Sequence, residues 1–277
     1  MTESYGWTGK HRRMQRILHP VSGTTFLVPL DHSLADGPVA TTNGFTKLVT
    51  AMSANDVDGI VVHKGRVRFL PTELLRDLAL IVHLNGSTRH ADDVDAKIMV
   101  GAVEEAVALG ADGVSVHINL GSNTEGGQLT DLGVVADHCA RWGVPLLAMV
   151  YPRGPRITDP ADPVLLAHAA NVAADLGVDI VKLPYTGSPL TMAQVVQASP
   201  IPVVTAGGGV IGDTDKFLDV IESTMESGVA GVAVGRNVFR AEDPGQLARS
   251  IAKRVHAGLR SPEALVPDRS RSDVTVG

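Results

Sequence analysis

The sequence predicts an α/β fold, a single (β/α)8 TIM barrel, on three observations. Eight short apolar runs recur along the 277 residues, segments with helical spacing separate them, and glycine marks several joints from helix to run. Runs of five to seven residues dominated by Val, Ile and Leu, without period-two alternation, read as strands buried on both faces, as in a parallel sheet covered by helices. Eight such units in about 250 residues match one closed barrel. The alternative, an open doubly wound sheet, carries a glycine-rich phosphate loop after its first strand, whereas the first run here ends in Leu30-Asp31-His32-Ser33.

In order, the strand runs are 26–31, 59–63, 79–84, 113–118, 145–151, 179–183, 201–206 and 231–235. Helices are expected over 43–53, 92–109, 131–142, 163–176, 191–197, 213–227 and 244–255. Asp, Asn or Thr at their starts can cap free N–H groups, and Gly110, Gly143, Gly177 and Gly228 close four helical segments. Glu125-Gly126-Gly127 reads as a flexible loop. The barrel is expected to fill 26–260. Before it, 1–25 form an N-terminal extension with a helix around 10–18 covering the barrel bottom. After it, 261–277 form a polar tail rich in Pro, Asp, Arg and Ser, poorly ordered or an assembly arm.

Composition narrows the function. Hydrophobic residues at 44% with 19% charged describe a globular chain, and aromatics at only 4% with 29 Gly require a core of small and β-branched side chains. Net charge is -6, from 24 basic against 30 acidic residues, so no broad cationic surface is available for nucleic acid. The single Cys139 can form neither an intramolecular disulfide nor a Cys-rich metal site. No apolar run approaches the roughly 20 residues of a membrane helix, and the start lacks a secretion signal. A cytoplasmic protein without membrane or nucleic-acid partners is expected.

Barrel active sites gather where strands end at the carboxyl side, which directs attention to Asp31, Tyr151 and Lys182. Lys182 lies in Asp179-Ile180-Val181-Lys182-Leu183. A lysine in such surroundings either is desolvated into a nucleophilic amine, suited to Schiff-base chemistry on a carbonyl, or pairs with a carboxylate or snorkels out of the strand. Asp31 and Tyr151 are the types needed to remove a carbinolamine hydroxyl and to move a proton; their plainer roles are a loop cap and a packed rim residue. His32, His63, His83 and His117 also sit at strand ends, but on four different strands and without a paired carboxylate motif, so no metal is expected. Gly207-Gly208-Gly209 after the seventh run and Gly235-Arg236-Asn237 after the eighth supply bare amides and a guanidinium where barrels bind phosphate.

Six segments in order, VPLDHSLADGP (28–38), VVHKGRVR (61–68), VSVHINLGS (114–122), LLAMVYPRG (146–154), DIVKLPYTG (179–187) and AGVAVGRNVF (230–239), resemble the archaeal-type class I aldolase family over about residues 10–257. The resemblance implies a metal-independent, cofactor-free Schiff-base aldolase that assembles as a homo-oligomer, often a decamer. It implies Lys182 as the imine-forming residue, Tyr151 as the proton-transfer residue, Asp31 as the catalytic aspartate, and Gly207, Gly208, Gly235 and Arg236 as the phosphate site. His32, His117 and Arg153 are candidate substrate contacts, the last two for the carboxylate of the second substrate. Family members cleaving fructose 1,6-bisphosphate carry Trp two residues before the tyrosine of the YPRG motif; Met149 stands there. That points to the branch joining a ketose phosphate, such as dihydroxyacetone phosphate, to L-aspartate 4-semialdehyde, giving a seven-carbon amino keto acid phosphate. Two departures lie beside the site: Ser33 where glycine usually follows Asp-His, and Leu183-Pro184 within the KTSYTG pattern. Fructose-bisphosphate aldolase or transaldolase chemistry, and a non-catalytic sugar-phosphate-binding barrel, are the alternatives.

Overall fold

The computed structural model describes residues 3–257; the expected tail 261–277 lies outside the described residues. Eight parallel strands close into a barrel: β1 (Thr25–Pro29), β2 (Gly59–His63), β3 (Ala79–His83), β4 (Gly113–Leu120), β5 (Leu146–Pro152), β6 (Ile180–Leu183), β7 (Val203–Ala206) and β8 (Gly231–Ala233). Each strand pairs with its sequence neighbours, and β8 pairs with β1 to close the ring. Alternate side chains of a strand face opposite ways. Val28, Ile60, Leu80, Val114 and Val181 therefore pack under the helices, while Leu27, Val61, Ile81, Leu147, Met149, Ile180 and Val204 fill the interior. The inward rows continue towards the carboxyl ends as His63, His83, His117, Tyr151 and Lys182. An apolar plug thus lies beneath a polar mouth.

The helices are α1 (Glu3–Ile17), α2 (Thr42–Ser53), α3 (Lys64–Val67), α4 (Val103–Ala108), α5 (Glu125–Trp142), α6 (Pro163–Asp175), α7 (Pro189–Ala198), α8 (Thr214–Glu226), α9 (Arg236–Phe239) and α10 (Pro244–Val255). Capping follows the sequence signals: the carboxylates of Asp162, Asp213 and Asp243 accept from N–H groups of the first turns of α6, α8 and α10. Helix α1 closes the barrel bottom. Ile17 enters the interior packing, and Gly113 makes room for it, since a Cβ there would lie 3.0 Å from Ile17 Cδ1. Lys10 pairs with Asp179 at 2.9 Å and Arg16 with Asp112 at 2.6 Å. Those carboxylates also accept from Leu146 and Leu80 N–H, which ties the plug to the strand starts.

Three expectations require correction. The helix expected over 92–109 is confined to α4, and 85–101 instead forms a hairpin with antiparallel pairing of Asn85–Gly86 and Ile98–Met99. Asp93 Oδ1 accepts from the N–H groups of Asp95 and Ala96, a local turn that competes with helix formation. The segment 125–127 is not a loop but the first turn of α5. The side chain of buried Gln128 fixes that turn by bonding Asn119 N–H, Ser122 Oγ and Thr124 Oγ1. Finally, Asp31 and His32 are not on a strand: β1 stops at Pro29 and Asp31–Ser33 form a 3-10 turn. Asp36 N–H bonds back to His32 O at 2.8 Å, curling the chain over the mouth.

Candidate active site

Lys182 is central to the mouth. It is 6% exposed, faces Met149 across the β5–β6 register, and places Nζ 3.9 Å from Met149 Sδ. Nζ also lies 6.0 Å from the centroid of the Tyr151 ring. Among the described residues Lys182 has no ion pair within hydrogen-bonding reach. The Tyr151 ring is held from other sides by the Arg153 guanidinium, 4.8 Å from its centroid, and the His117 ring at 4.9 Å.

Asp31 reaches the same space from its turn. Its Oδ2 is 3.9 Å from His83 Nε2 and its Oδ1 is 3.6 Å from His32 Nδ1. Asp31 Oδ1 and His32 Nδ1 are both buried without a hydrogen-bond partner. Burial is the largest influence on the Asp31 carboxyl and would raise its pKa, but His83, His32, Lys182 and His63 together overcome it and hold the group below its ordinary value. Burial pushes His83 down to about 4, lowers His32 and His63, and takes His117 well below the ordinary imidazole value. Near neutral pH the mouth therefore holds an ionised carboxylate among neutral imidazoles. Hydrogen bonds hold the rings in place: His83 Nδ1 with Ser115 Oγ at 2.8 Å, His63 Nδ1 with His83 O at 3.2 Å, and His117 Nε2 with Asn119 Oδ1 at 2.8 Å. Among the described residues no group of three or more His, Cys, Asp or Glu side chains is placed to hold a metal ion.

The glycine loops lie beside Lys182. Buried Asn237 ties them together, its Nδ2 donating to Gly207 O and Gly209 O and its Oδ1 accepting from Ile211 N–H. Arg236 Nη2 donates to Gly208 O at 2.9 Å. Gly207 N–H is taken by Ala233 O, whereas the N–H groups of Gly208 and Gly209 have no protein acceptor among the described residues. Glycine is required at 235, where a Cβ would lie 2.7 Å from Pro29 O and 2.9 Å from His32 Cε1.

Two cavities meet at Lys182. One, of about 580 Å³, runs under the 207–211 loop; the other, of about 450 Å³, runs under the 85–101 hairpin and contains Asp31, His83 and His117. His32, Tyr151, Arg153, Lys182 and Arg236 line both. All ten sequence-derived site residues thus border this mouth, as do Lys97, Asn85 and Arg89 of the hairpin, which sequence reasoning missed. The strand-end rule could not find them, because they leave the barrel on an inserted hairpin.

A parallel (β/α)8 barrel that buries a lysine beside a tyrosine and a carboxylate at its carboxyl-end mouth has the build of an aldolase. The chain belongs to the DeoC/LacD aldolase family, whose sequence model matches residues 25–241. It is 49% identical over 244 residues, 88% of this chain and 89% of the relative, to 2-amino-4,5-dihydroxy-6-oxo-7-(phosphonooxy)heptanoate synthase of Streptomyces griseus. It is 39% identical over 259 residues, 93% of this chain and 95% of the relative, to 2-amino-3,7-dideoxy-D-threo-hept-6-ulosonate synthase 1 of Archaeoglobus fulgidus. Among solved structures, an archaeal fructose-1,6-bisphosphate aldolase with its catalytic Lys covalently bound to a carbinolamine intermediate superposes with TM-score 0.79 at 29% identity, covering 89% of this chain and 99% of that one.

Proposed function

We propose that this aldolase joins a ketose phosphate, dihydroxyacetone phosphate or a close analogue, to L-aspartate 4-semialdehyde through a Schiff base on Lys182. The observation that carries the reading is the position of Lys182: buried, 6.0 Å from the Tyr151 ring centroid, and on the wall shared by two cavities. One cavity offers free glycine amides and Arg236 to a phosphate; the other leaves room for an aldehyde. The 49% identity to a synthase named for 2-amino-4,5-dihydroxy-6-oxo-7-(phosphonooxy)heptanoate supports a seven-carbon amino keto acid phosphate as the product, which these two substrates would give.

In this mechanism the Lys182 amine attacks the ketone carbon to form a carbinolamine. Asp31, ionised and close to unpartnered His32 Nδ1, takes up a proton and returns it as the hydroxyl leaves as water, giving the imine. The adjacent carbon gives its proton to the Tyr151 hydroxyl as that hydroxyl passes its own through water to the imine nitrogen, giving the enamine. The enamine carbon then adds to the aldehyde, the new alkoxide takes a proton from the Tyr151 hydroxyl, and the nitrogen returns its proton to restore the phenol. Water then hydrolyses the product imine and restores the amine. His117 and Arg153 border the acceptor's side of the mouth.

Cleavage of fructose 1,6-bisphosphate is the second reading, favoured by the superposition on the archaeal aldolase. Supplying dihydroxyacetone phosphate with L-aspartate 4-semialdehyde and following aldehyde consumption, beside triose phosphate release from fructose 1,6-bisphosphate, separates them. Semialdehyde consumption with little triose release is expected; the reverse overturns the proposal. A cytoplasmic homo-oligomer belongs to the same reading, checked by native mass. Among the described residues no helix is long and apolar enough to cross a membrane.

A further inference from the structure

The cavity under the hairpin carries charges that Asp31, Tyr151 and Lys182 do not account for. Lys97 closes the hairpin half-buried, its Nζ donating to Ser87 Oγ at 2.6 Å and Val94 O at 2.7 Å. Both acceptors are neutral, and Lys97 forms no ion pair among the described residues. An ammonium with two such bonds keeps a third N–H for a ligand. Burial draws its pKa down and Arg153 adds to this, against Asp95, Asp93 and Asp36, so an anion supplied from outside would relieve a real cost. Arg153 and Arg89 border the same cavity, also without ion pairs among the described residues. The hairpin is braced from beneath, because Asp95 O accepts from Asn119 Nδ2 at 2.8 Å and Gln128 Nε2 at 3.0 Å.

Resting on the proposed aldolase reading, the geometry points to Lys97 as the residue that anchors the α-carboxylate of an amino-acid aldehyde, with Arg153 beside it. Asp36 and Asp95 border the same cavity and suit the α-ammonium of that substrate. The mixture of signs is the argument. A second phosphate would meet the cations but also Asp31, Asp36 and Asp95, whereas a zwitterionic head finds a partner for each of its charges. Lys97 is therefore a specificity-determining residue at the acceptor end, away from the bond being made.

The test compares Lys97→Gln, which keeps hydrogen-bonding capacity and loses the charge, with Lys97→Arg, which keeps the charge. Lys97→Gln should raise KM for L-aspartate 4-semialdehyde by about 10- to 100-fold, the range for one charge-assisted contact, with kcat little changed. Lys97→Arg should recover most of the loss. With an uncharged aldehyde such as propanal the two forms should have equal KM, which a merely structural role would not produce. Unchanged KM for the semialdehyde, or an equal loss with propanal, overturns the inference. Calorimetric binding of L-homoserine, which has the same head and no aldehyde, reads the subsite without catalysis. Weaker binding to Lys97→Gln is expected, and no heat with the parent protein, or equal binding to both, overturns the assignment. Failure of the aldolase reading shows separately, as absence of a borohydride-trapped adduct with the ketose donor.

Discussion

Replacing Asp31 by Asn removes one charge from the mouth and almost no volume. The carboxylate is buried, its Oδ1 has no hydrogen-bond partner, and its pKa is held low because His83, His32, Lys182 and His63 outweigh the effect of burial. An amide at this position keeps the shape and can donate towards His32 Nδ1 or His83 Nε2, which lie 3.6 and 3.9 Å from the carboxylate oxygens and are neutral near pH 7. Stability should therefore change by no more than about 1 kcal/mol, one net hydrogen bond. Turnover should fall about 100- to 10,000-fold, the span of a general acid–base group, or about 3 to 5 kcal/mol of barrier. Stopped reactions reduced with borohydride at increasing times would show the adduct on Lys182 accumulating slowly, because loss of the carbinolamine hydroxyl is the step affected. Normal turnover in Asp31→Asn, with a normal rate of adduct formation, would refute the assignment.

Gly235→Ala should destabilise the fold by about 1 to 3 kcal/mol through overpacking, because the new Cβ meets Pro29 O, backbone of a barrel strand, at 2.7 Å; an unchanged melting temperature would contradict this. Ile17→Ala empties the barrel bottom and should cost about 2 to 5 kcal/mol, read by denaturant titration; a smaller loss would mean that α1 is not part of the core. His83 has its folded pKa lowered to about 4 from 6.5, so the unfolded chain binds more protons between these values and stability falls as pH drops from about 6.5 to 4, by about 3 kcal/mol. His83→Gln should remove that share of the slope, seen as a stability difference from the parent protein that shifts between pH 7 and pH 4; a constant difference would contradict the burial argument.

The barrel was legible because the strand runs are predominantly apolar, with most of their ionisable residues towards the carboxyl ends, and because several helices carry an Asp or Thr cap or end at glycine. Asp162, Asp213 and Asp243 cap where expected. Failures arose where side chains compete with the pattern. The run 92–97 has the charge of a solvated helix face, but Asp93 bonds forward to the N–H groups of Asp95 and Ala96 and turns the chain. Gly126 and Gly127 suggest a loop, yet the long-range bond of Gln128 to Asn119 keeps them helical. Lys182 and Tyr151 were readable because an ionisable residue amid apolar neighbours needs an explanation. Lys97 was not, because nothing in its polar surroundings shows that the hairpin folds back over the mouth. Short α3 and α9 are a single turn each, below the length at which periodicity speaks.

The central claim is a covalent imine on one residue. Incubation with dihydroxyacetone phosphate and borohydride, followed by peptide mass mapping, should place a single reduced adduct on Lys182, absent from Lys182→Ala. An adduct that survives that substitution, or none on the parent protein, would contradict the account.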